Sequence, residues 1–159
     1  MISFAKTTWM KFVIVCILVS CLTACNQIEL FEKNIPIPNL KWQNNFNAIG
    51  VFNITDTTSL YNVFVVLRHT DAYAYNNIWL NIGLQTPGDS MKTQKLNLSL
   101  GSDAQGWEGV GMNDIWEVRK PIARLPLKKG DYNFSIAQIM RDNPLQHIMS
   151  VGLRLEKVK

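Results

Sequence analysis

Residues 78–100, Ile78-Trp-Leu-Asn-Ile-Gly-Leu-Gln-Thr-Pro-Gly-Asp-Ser-Met-Lys-Thr-Gln-Lys-Leu-Asn-Leu-Ser-Leu100, decide the fold class. Ile78, Leu80, Ile82 and Leu84 alternate with Trp79, Asn81, Gly83 and Gln85. Pro87-Gly88-Asp89-Ser90 has the composition of a turn, and beyond it Leu96, Leu98 and Leu100 alternate with Lys95, Asn97 and Ser99. A period of two sends successive side chains to opposite faces, which is the geometry of a half-buried strand and not of a helix. Two such runs joined by a Pro-Gly turn predict antiparallel neighbours.

The same period runs outward in both directions. Upstream, Phe46, Ala48, Gly50, Phe52 and Ile54 share one face, although Ile49 and Val51 keep the other partly apolar. After the turn-forming Thr55-Asp-Thr-Thr-Ser59, Tyr61, Val63, Val65 and Leu67 face one way. Leu60, Phe64 and Val66 share the other face with Asn62 and Arg68, a pattern that predicts a central strand buried on much of both sides. Downstream, Ile115-Trp-Glu-Val-Arg119 reads as a strand ended by Pro121, and Tyr132, Phe134 and Ile136 alternate after the Lys128-Lys-Gly-Asp131 turn. Val151, Leu153 and Leu155 close the series. Between these last two runs the alternation blurs, leaving a helical alternative for Ile136 to Met140. With about seven or eight strands and no long amphipathic helix, the prediction is all-β: an antiparallel β-sandwich of immunoglobulin-like or jelly-roll type, strand order undetermined.

The N-terminus carries a different signal. Lys6 and Lys11 precede Phe12 to Ala24, thirteen residues without a charge. A bilayer-spanning helix needs about 20 apolar residues, so a charged start followed by a short apolar run reads as an export signal. Its end, Leu22-Thr-Ala-Cys25, resembles the bacterial lipobox, whose cysteine is acylated, with palmitate-type chains, and becomes the mature N-terminus. Leu18-Val-Ser-Cys21 fits the same pattern, but apolar residues follow Cys21 whereas Asn26-Gln27 follow Cys25. The expected organisation is a signal peptide over 1–24, a lipid-anchored tether with an edge segment over 25–45, where Pro36 and Pro38 lie, and a sandwich domain over 46–159.

Removing residues 1–24 from the 159 leaves 135, the size of one domain with a real core. Lys6 and Lys11 are two of the 16 basic residues, so 14 remain against 12 acidic. With no basic block and no interleaved aromatics, nucleic acid is not an expected partner. Cys16, Cys21 and Cys25 all lie at or before the cleavage point, so the mature fold is expected to hold without disulfides.

A search for chemistry finds little. His69 and His147 have no His, Cys or acid at ligand spacing, so no metal and no cofactor is expected, and both histidines read as surface or cap residues. No nucleophile elbow, phosphate loop or HExxH helix occurs. Glu108 with Asp114 or Glu117 is the best glycosidase-like pairing, and scattered solvated carboxylates explain it as well. The glycine-rich stretch 101–111 reads as a long loop. Tyr73, Tyr75 and Trp107 fall in inter-strand loops, where rings either stack on a sugar, anchor a protein partner, or fold back over the ends of the sandwich. Arg141 and Asp142 sit where alternation stops, and either contact a partner or satisfy turn backbone groups.

Several stretches together carry a resemblance: Leu22-Thr-Ala-Cys25, Arg68-His-Thr-Asp-Ala-Tyr73, Tyr75-Asn-Asn-Ile-Trp-Leu80, Gly130-Asp-Tyr-Asn-Phe-Ser-Ile-Ala-Gln-Ile-Met-Arg-Asp-Asn-Pro-Leu145 and Val151-Gly-Leu-Arg-Leu-Glu-Lys157. They are similar to the gliding-motility lipoprotein GldH family of Bacteroidetes. The resemblance implies an outer-membrane lipoprotein, associated in gliding relatives with surface motility and type IX secretion, with no catalytic activity. It carries over one functional residue, the lipidated Cys25. The expected function is therefore a noncatalytic accessory component of motility or secretion machinery, facing the periplasm, its partners the membrane and other envelope proteins. The alternative is a carbohydrate-binding lipoprotein of a glycan-uptake system.

Overall fold

Thirteen strands run through residues 30–158, the residues that the computed structural model describes. The expected export signal and the expected lipidation site Cys25 lie outside them. In chain order the strands are β1 (Leu30–Pro36), β2 (Lys41–Trp42), β3 (Ala48–Ile54), β4 (Leu60–Thr70), β5 (Asn77–Gln85), β6 (Met91–Ser99), β7 (Gly101–Ser102), β8 (Gly106–Trp107), β9 (Val110–Met112), β10 (Ile115–Pro126), β11 (Gly130–Gln138), β12 (Leu145–Gln146) and β13 (Ile148–Val158). A single 3-10 turn, Pro38–Leu40, is the only helical element among the described residues. The fold is the all-β sandwich that alternation predicts, and the helical alternative at 136–140 gives way to a strand through Gln138.

One sheet has five strands in the order β1-β13-β4-β10-β9, and the other four in the order β3-β11-β5-β6. This order resolves the choice that the sequence leaves open. Of the eight long strands, the first pairs with the last (β1–β13), the second with the seventh (β3–β11), the third with the sixth (β4–β10) and the fourth with the fifth (β5–β6), all antiparallel. That is one long hairpin folded about the β5–β6 turn and rolled so that successive rungs fall in opposite sheets. The β4–β13 and β5–β11 ladders then join the rungs within each sheet. The arrangement is a jelly roll.

Alternation builds the core as predicted. β3 buries Ala48, Phe52 and Ile54 and exposes Ile49, Val51 and Asn53, while β11 buries Tyr132, Phe134 and Ile136. Phe52 stacks on Tyr132 with ring centroids 4.9 Å apart. Each large apolar side chain removed from water contributes roughly 1.5–3 kcal/mol, and this layer stands in for the missing disulfides. β4, central in its sheet, buries Val65, Val66 and Leu67 in succession.

Residues 30–42 hold β1 and β2, and β1 is an edge strand that pairs with the C-terminal strand over its whole length. Three features depart from the local reading. β10 does not end at Pro121 but runs through it to Pro126, with a register shift between Pro121 and Ala123. The glycine-rich stretch 101–111 is a small β7–β8 hairpin leading into β9, not a plain loop. His69 is not a surface residue: it is fully buried. Its Nδ1–H donates to the Thr70 carbonyl (2.8 Å), Nε2 has no hydrogen-bond partner among the described residues, and burial pushes its pKa down, which favours the neutral ring.

Candidate functional site

The Tyr75–Leu80 and Gln138–Leu145 stretches, some 60 residues apart in the chain, meet at one open cleft of about 660 Å³. Its lining comes from the β4–β5 loop (Tyr75), β5 (Asn77, Trp79), β6 (Lys95) and the segment that leaves β11 (Ile139, Met140, Arg141, Asp142). The antiparallel β5–β11 ladder explains the meeting, because it sets Leu80 beside Gln138. The chain continues the contact past the strand, with Ile139 N–H donating to the Trp79 carbonyl at 3.0 Å and Trp79 N–H to the Met140 sulfur at 3.3 Å.

Gln138 fixes the segment from below. It is 1 % exposed, and its Nε2 donates to the carbonyls of Trp42 (3.3 Å) and Asp142 (3.2 Å) while its Oε1 accepts from Met140 N–H (2.8 Å). Asn143 ties the next turn to the chain before β3, its Oδ1 accepting from Asn44 N–H at 3.0 Å. Gln138 thus holds backbone groups of Met140 and Asp142, Asn143 holds the Asn44 N–H of the neighbouring segment, and neither the Arg141 nor the Asp142 side chain takes part in these contacts. Asp142 instead accepts the Tyr75 hydroxyl at 2.6 Å. That hydrogen bond to the carboxylate raises the Tyr75 pKa and keeps the phenol protonated. The Arg141 and Lys95 side chains have no ion-pair or hydrogen-bond partner among the described residues.

Of the aromatic candidates, the structure brings only Tyr75 to this cleft. Tyr73 is 4 % exposed, so as a surface contact it is corrected: its hydroxyl donates to the Asn77 carbonyl (3.1 Å), and burial drives its pKa up. Trp107 is half-buried, with its ring edge-on to His69 at 4.6 Å, and with Tyr73 it closes one end of the sandwich. A smaller hollow of about 310 Å³ lies between that lid and Tyr75. Trp79, not among the sequence candidates, is the ring that faces solvent, 43 % exposed on the outer face of the four-stranded sheet. The signal for it was present: it stands out of phase with Ile78, Leu80 and Ile82. His69 and Gln138, the two buried polar residues among those described, likewise continue the inward phase of β4 and β11.

Two of the three carboxylates that sequence could pair as acids, Glu108 and Glu117, are occupied by cations. Glu108 accepts from Lys120 and from Ser99 Oγ, and hydrogen bonds from both lower its pKa. Burial pushes Glu117 up, but Arg68 (2.6 Å) and Arg119 (2.6 Å) pull it below the usual carboxylate range. A glycosidase acid needs a raised pKa, and neither has one. Among the described residues no group of three metal-ligating side chains forms, and no helix is long and apolar enough to cross a membrane.

The GldH lipoprotein family model matches residues 29–155. The gliding motility lipoprotein GldH of Flavobacterium johnsoniae is 26% identical over 143 residues, covering 86% of this chain and 89% of that protein. The gliding motility lipoprotein GldH homolog of Christiangramia forsetii is 29% identical over 112 residues, covering 64% and 68%. Among solved structures, infectious bursal disease virus Gt strain superposes with a TM-score of 0.39 at 10% identity, over 84% of this chain and 33% of that one. A likeness that low carries nothing about function, and this chain spans about a third of the viral chain's length.

Proposed function

The chain belongs to the GldH lipoprotein family, and from that premise we propose that it is a noncatalytic outer-membrane lipoprotein, an accessory component of the envelope machinery for gliding motility or type IX secretion. The observation that carries this reading is the family match, which runs across the whole sandwich and reaches proteins named for gliding motility. In this reading residues 1–24 are removed and acylated Cys25 holds the protein in the membrane. More than one acyl chain makes such attachment stable without help from the folded domain. Asn26-Gln-Ile-Glu29 contains one acid and no dense acidic run, which favours the periplasmic face.

The way the acids are held supports a noncatalytic role, since Glu108 and Glu117 are both neutralised by basic side chains. The outer face of the four-stranded sheet supports assembly with envelope proteins. Ile49 (62 % exposed) and Val51 (52 %) stand in solvent there, available for burial against an apolar patch of a partner. Extraction in mild detergent followed by co-purification tests this. Secretion or motility subunits should accompany the wild-type protein, and its recovery alone under several mild conditions would count against the reading. Protease shaving of intact cells should leave the domain uncut, and mass spectrometry should find acyl mass on a peptide beginning at Cys25.

A further inference from the structure

We propose that the cleft between β5, β6 and residues 139–142 is a binding site for a sugar ring that carries a carboxylate, as in a uronic-acid polysaccharide. The inference goes beyond the accessory role and does not depend on it. The volume of about 660 Å³ is that of a small-molecule site. Four observations define what fits.

First, Trp79 presents a large ring to solvent from the middle of a sheet, where the ladders on both sides of β5 fix its backbone. The flat face of an indole matches the C–H face of a sugar ring. Second, the rim supplies hydroxyl-binding groups at short range. Asn77 Nδ2 donates to Asn97 Oδ1 at 2.8 Å, which leaves the Asn77 oxygen and the Asn97 amide nitrogen for a ligand. The Tyr75–Asp142 pair adds a carboxylate with acceptor capacity remaining.

Third, the charges do not cancel. Lys95 and Arg141 are unpaired among the described residues, and the single acid of the cleft, Asp142, already accepts from Tyr75. An anionic substituent on the ring would complete that balance, with the Arg141 guanidinium matched to carboxylate geometry. Fourth, the cleft is preorganised: buried Gln138 holds the segment bearing Arg141 and Asp142 through two hydrogen bonds and is itself anchored on the Trp42 carbonyl by a third, so little ordering remains to be done on binding. An acidic protein segment would offer the same negative charge but not the ring of hydroxyls that the Asn77 and Asn97 amides and the Asp142 carboxylate can bind.

Binding of the full-length lipidated protein in detergent to polygalacturonate and to alginate, with dextran and polyglutamate as comparators, tests the assignment. Both uronate polymers should bind, with an affinity that falls as salt rises, and both comparators should bind at least about tenfold more weakly. Trp79→Ala should lose about tenfold or more, and Trp79→Phe should recover most of it. Lys95→Gln with Arg141→Gln should lose affinity and flatten the salt dependence, whereas Arg124→Gln, on the other sheet, should change nothing. A thermal midpoint within a few degrees of wild type qualifies each variant. No binding to either uronate polymer, equal binding of dextran, binding that survives Trp79→Ala, or tighter binding of polyglutamate would each overturn the proposal, the last in favour of an acidic protein segment. Ile49 and Val51 lie outside the cleft, so loss of complex assembly on changing them leaves the sugar test intact, and the converse holds.

Discussion

The two outer faces of the jelly roll arise from the same alternating pattern and end opposite in character. On the five-stranded sheet, outward-facing charges meet in two groups of three: Glu117 takes Arg68 across the ladder and Arg119 on its own strand, and Arg154 takes Glu32 across the ladder and Glu156 on its own strand. Val66 points outward there, opposite Arg119, and is still fully buried, as expected when long basic side chains lay their apolar stems over a sheet. On the four-stranded sheet, the outward positions hold Ile49, Val51, Trp79 and Met91, all more than two-fifths exposed, with Lys95 unpaired at the cleft. The first face is finished by intramolecular contacts. The second keeps apolar rings, branched chains and a free charge in water, which is where binding would gain most.

The contrast breaks most severely at glycine. Gly152 sits on the ion-paired face, and a Cβ there would run into the Lys33 carbonyl oxygen of β1 and the backbone of Asn34. Gly152→Ala should cost about 1–3 kcal/mol in denaturant unfolding, because backbone must move. Gly83→Ala, on the open face, meets only the Ser135 hydroxyl (2.6 Å) and the Met91 sulfur (2.8 Å), which can swing aside, and should cost less than about 1 kcal/mol. Equal costs would mean that the faces do not differ in rigidity.

A smaller loss should follow from Arg154→Ala, which leaves Glu32 and Glu156 without their shared cation. About 1 kcal/mol is expected, part of it vanishing in high salt. Trp79→Ala should cost less in stability because 43 % of the ring is already exposed.

The pH dependence separates the faces next. Burial raises Glu117, and the Arg68 and Arg119 hydrogen bonds outweigh it, so its pKa in the folded state lies below its ordinary 4.5. A depressed carboxylate stabilises the fold above the unfolded pKa and loses that contribution as pH falls through the folded one. Unfolding midpoints measured downward from pH 5 should therefore drop, and Glu117→Gln should flatten this limb. Lys95→Gln, on the open face, should leave it unchanged.

The smallest effect on stability belongs to Ile49→Lys with Val51→Thr, expected within about 0.5 kcal/mol of wild type. These residues are solvent-exposed, and lysine is well tolerated on an edge strand. Recovery of envelope partners after mild extraction should nevertheless fall. Unchanged recovery would leave the open face without a role in assembly.

Much of this was legible from the sequence, and the limits follow residue by residue. Alternation assigned the inward phase correctly for Tyr61 to Leu67 and for Tyr132 to Ile136. Carried one step further, the same phase places His69 and Gln138 inside, against their polarity, and Trp79 outside, against its size. At His69, read as a surface or cap residue, polarity was misleading because the ladder had already fixed the direction of its Cβ. Tyr73 and Trp107 could not be separated from Tyr75 in this way. They lie in or beside irregular segments with no phase to follow, and their burial comes from packing on His69.

By itself the sequence determined a sandwich built on period-two strands and a family resemblance, and it raised the expectation of a lipidated Cys25. Only the tertiary structure decided that the sandwich is a jelly roll, that β1 closes on the last strand through Glu32 and Arg154, 122 residues apart, and that two distant stretches share one cleft. The reason is physical. A local pattern fixes which way each side chain points, but the entropy of closing a loop changes only slowly with its length. The choice among distant strand partners is therefore left to the burial and pairing that the whole fold makes available at once.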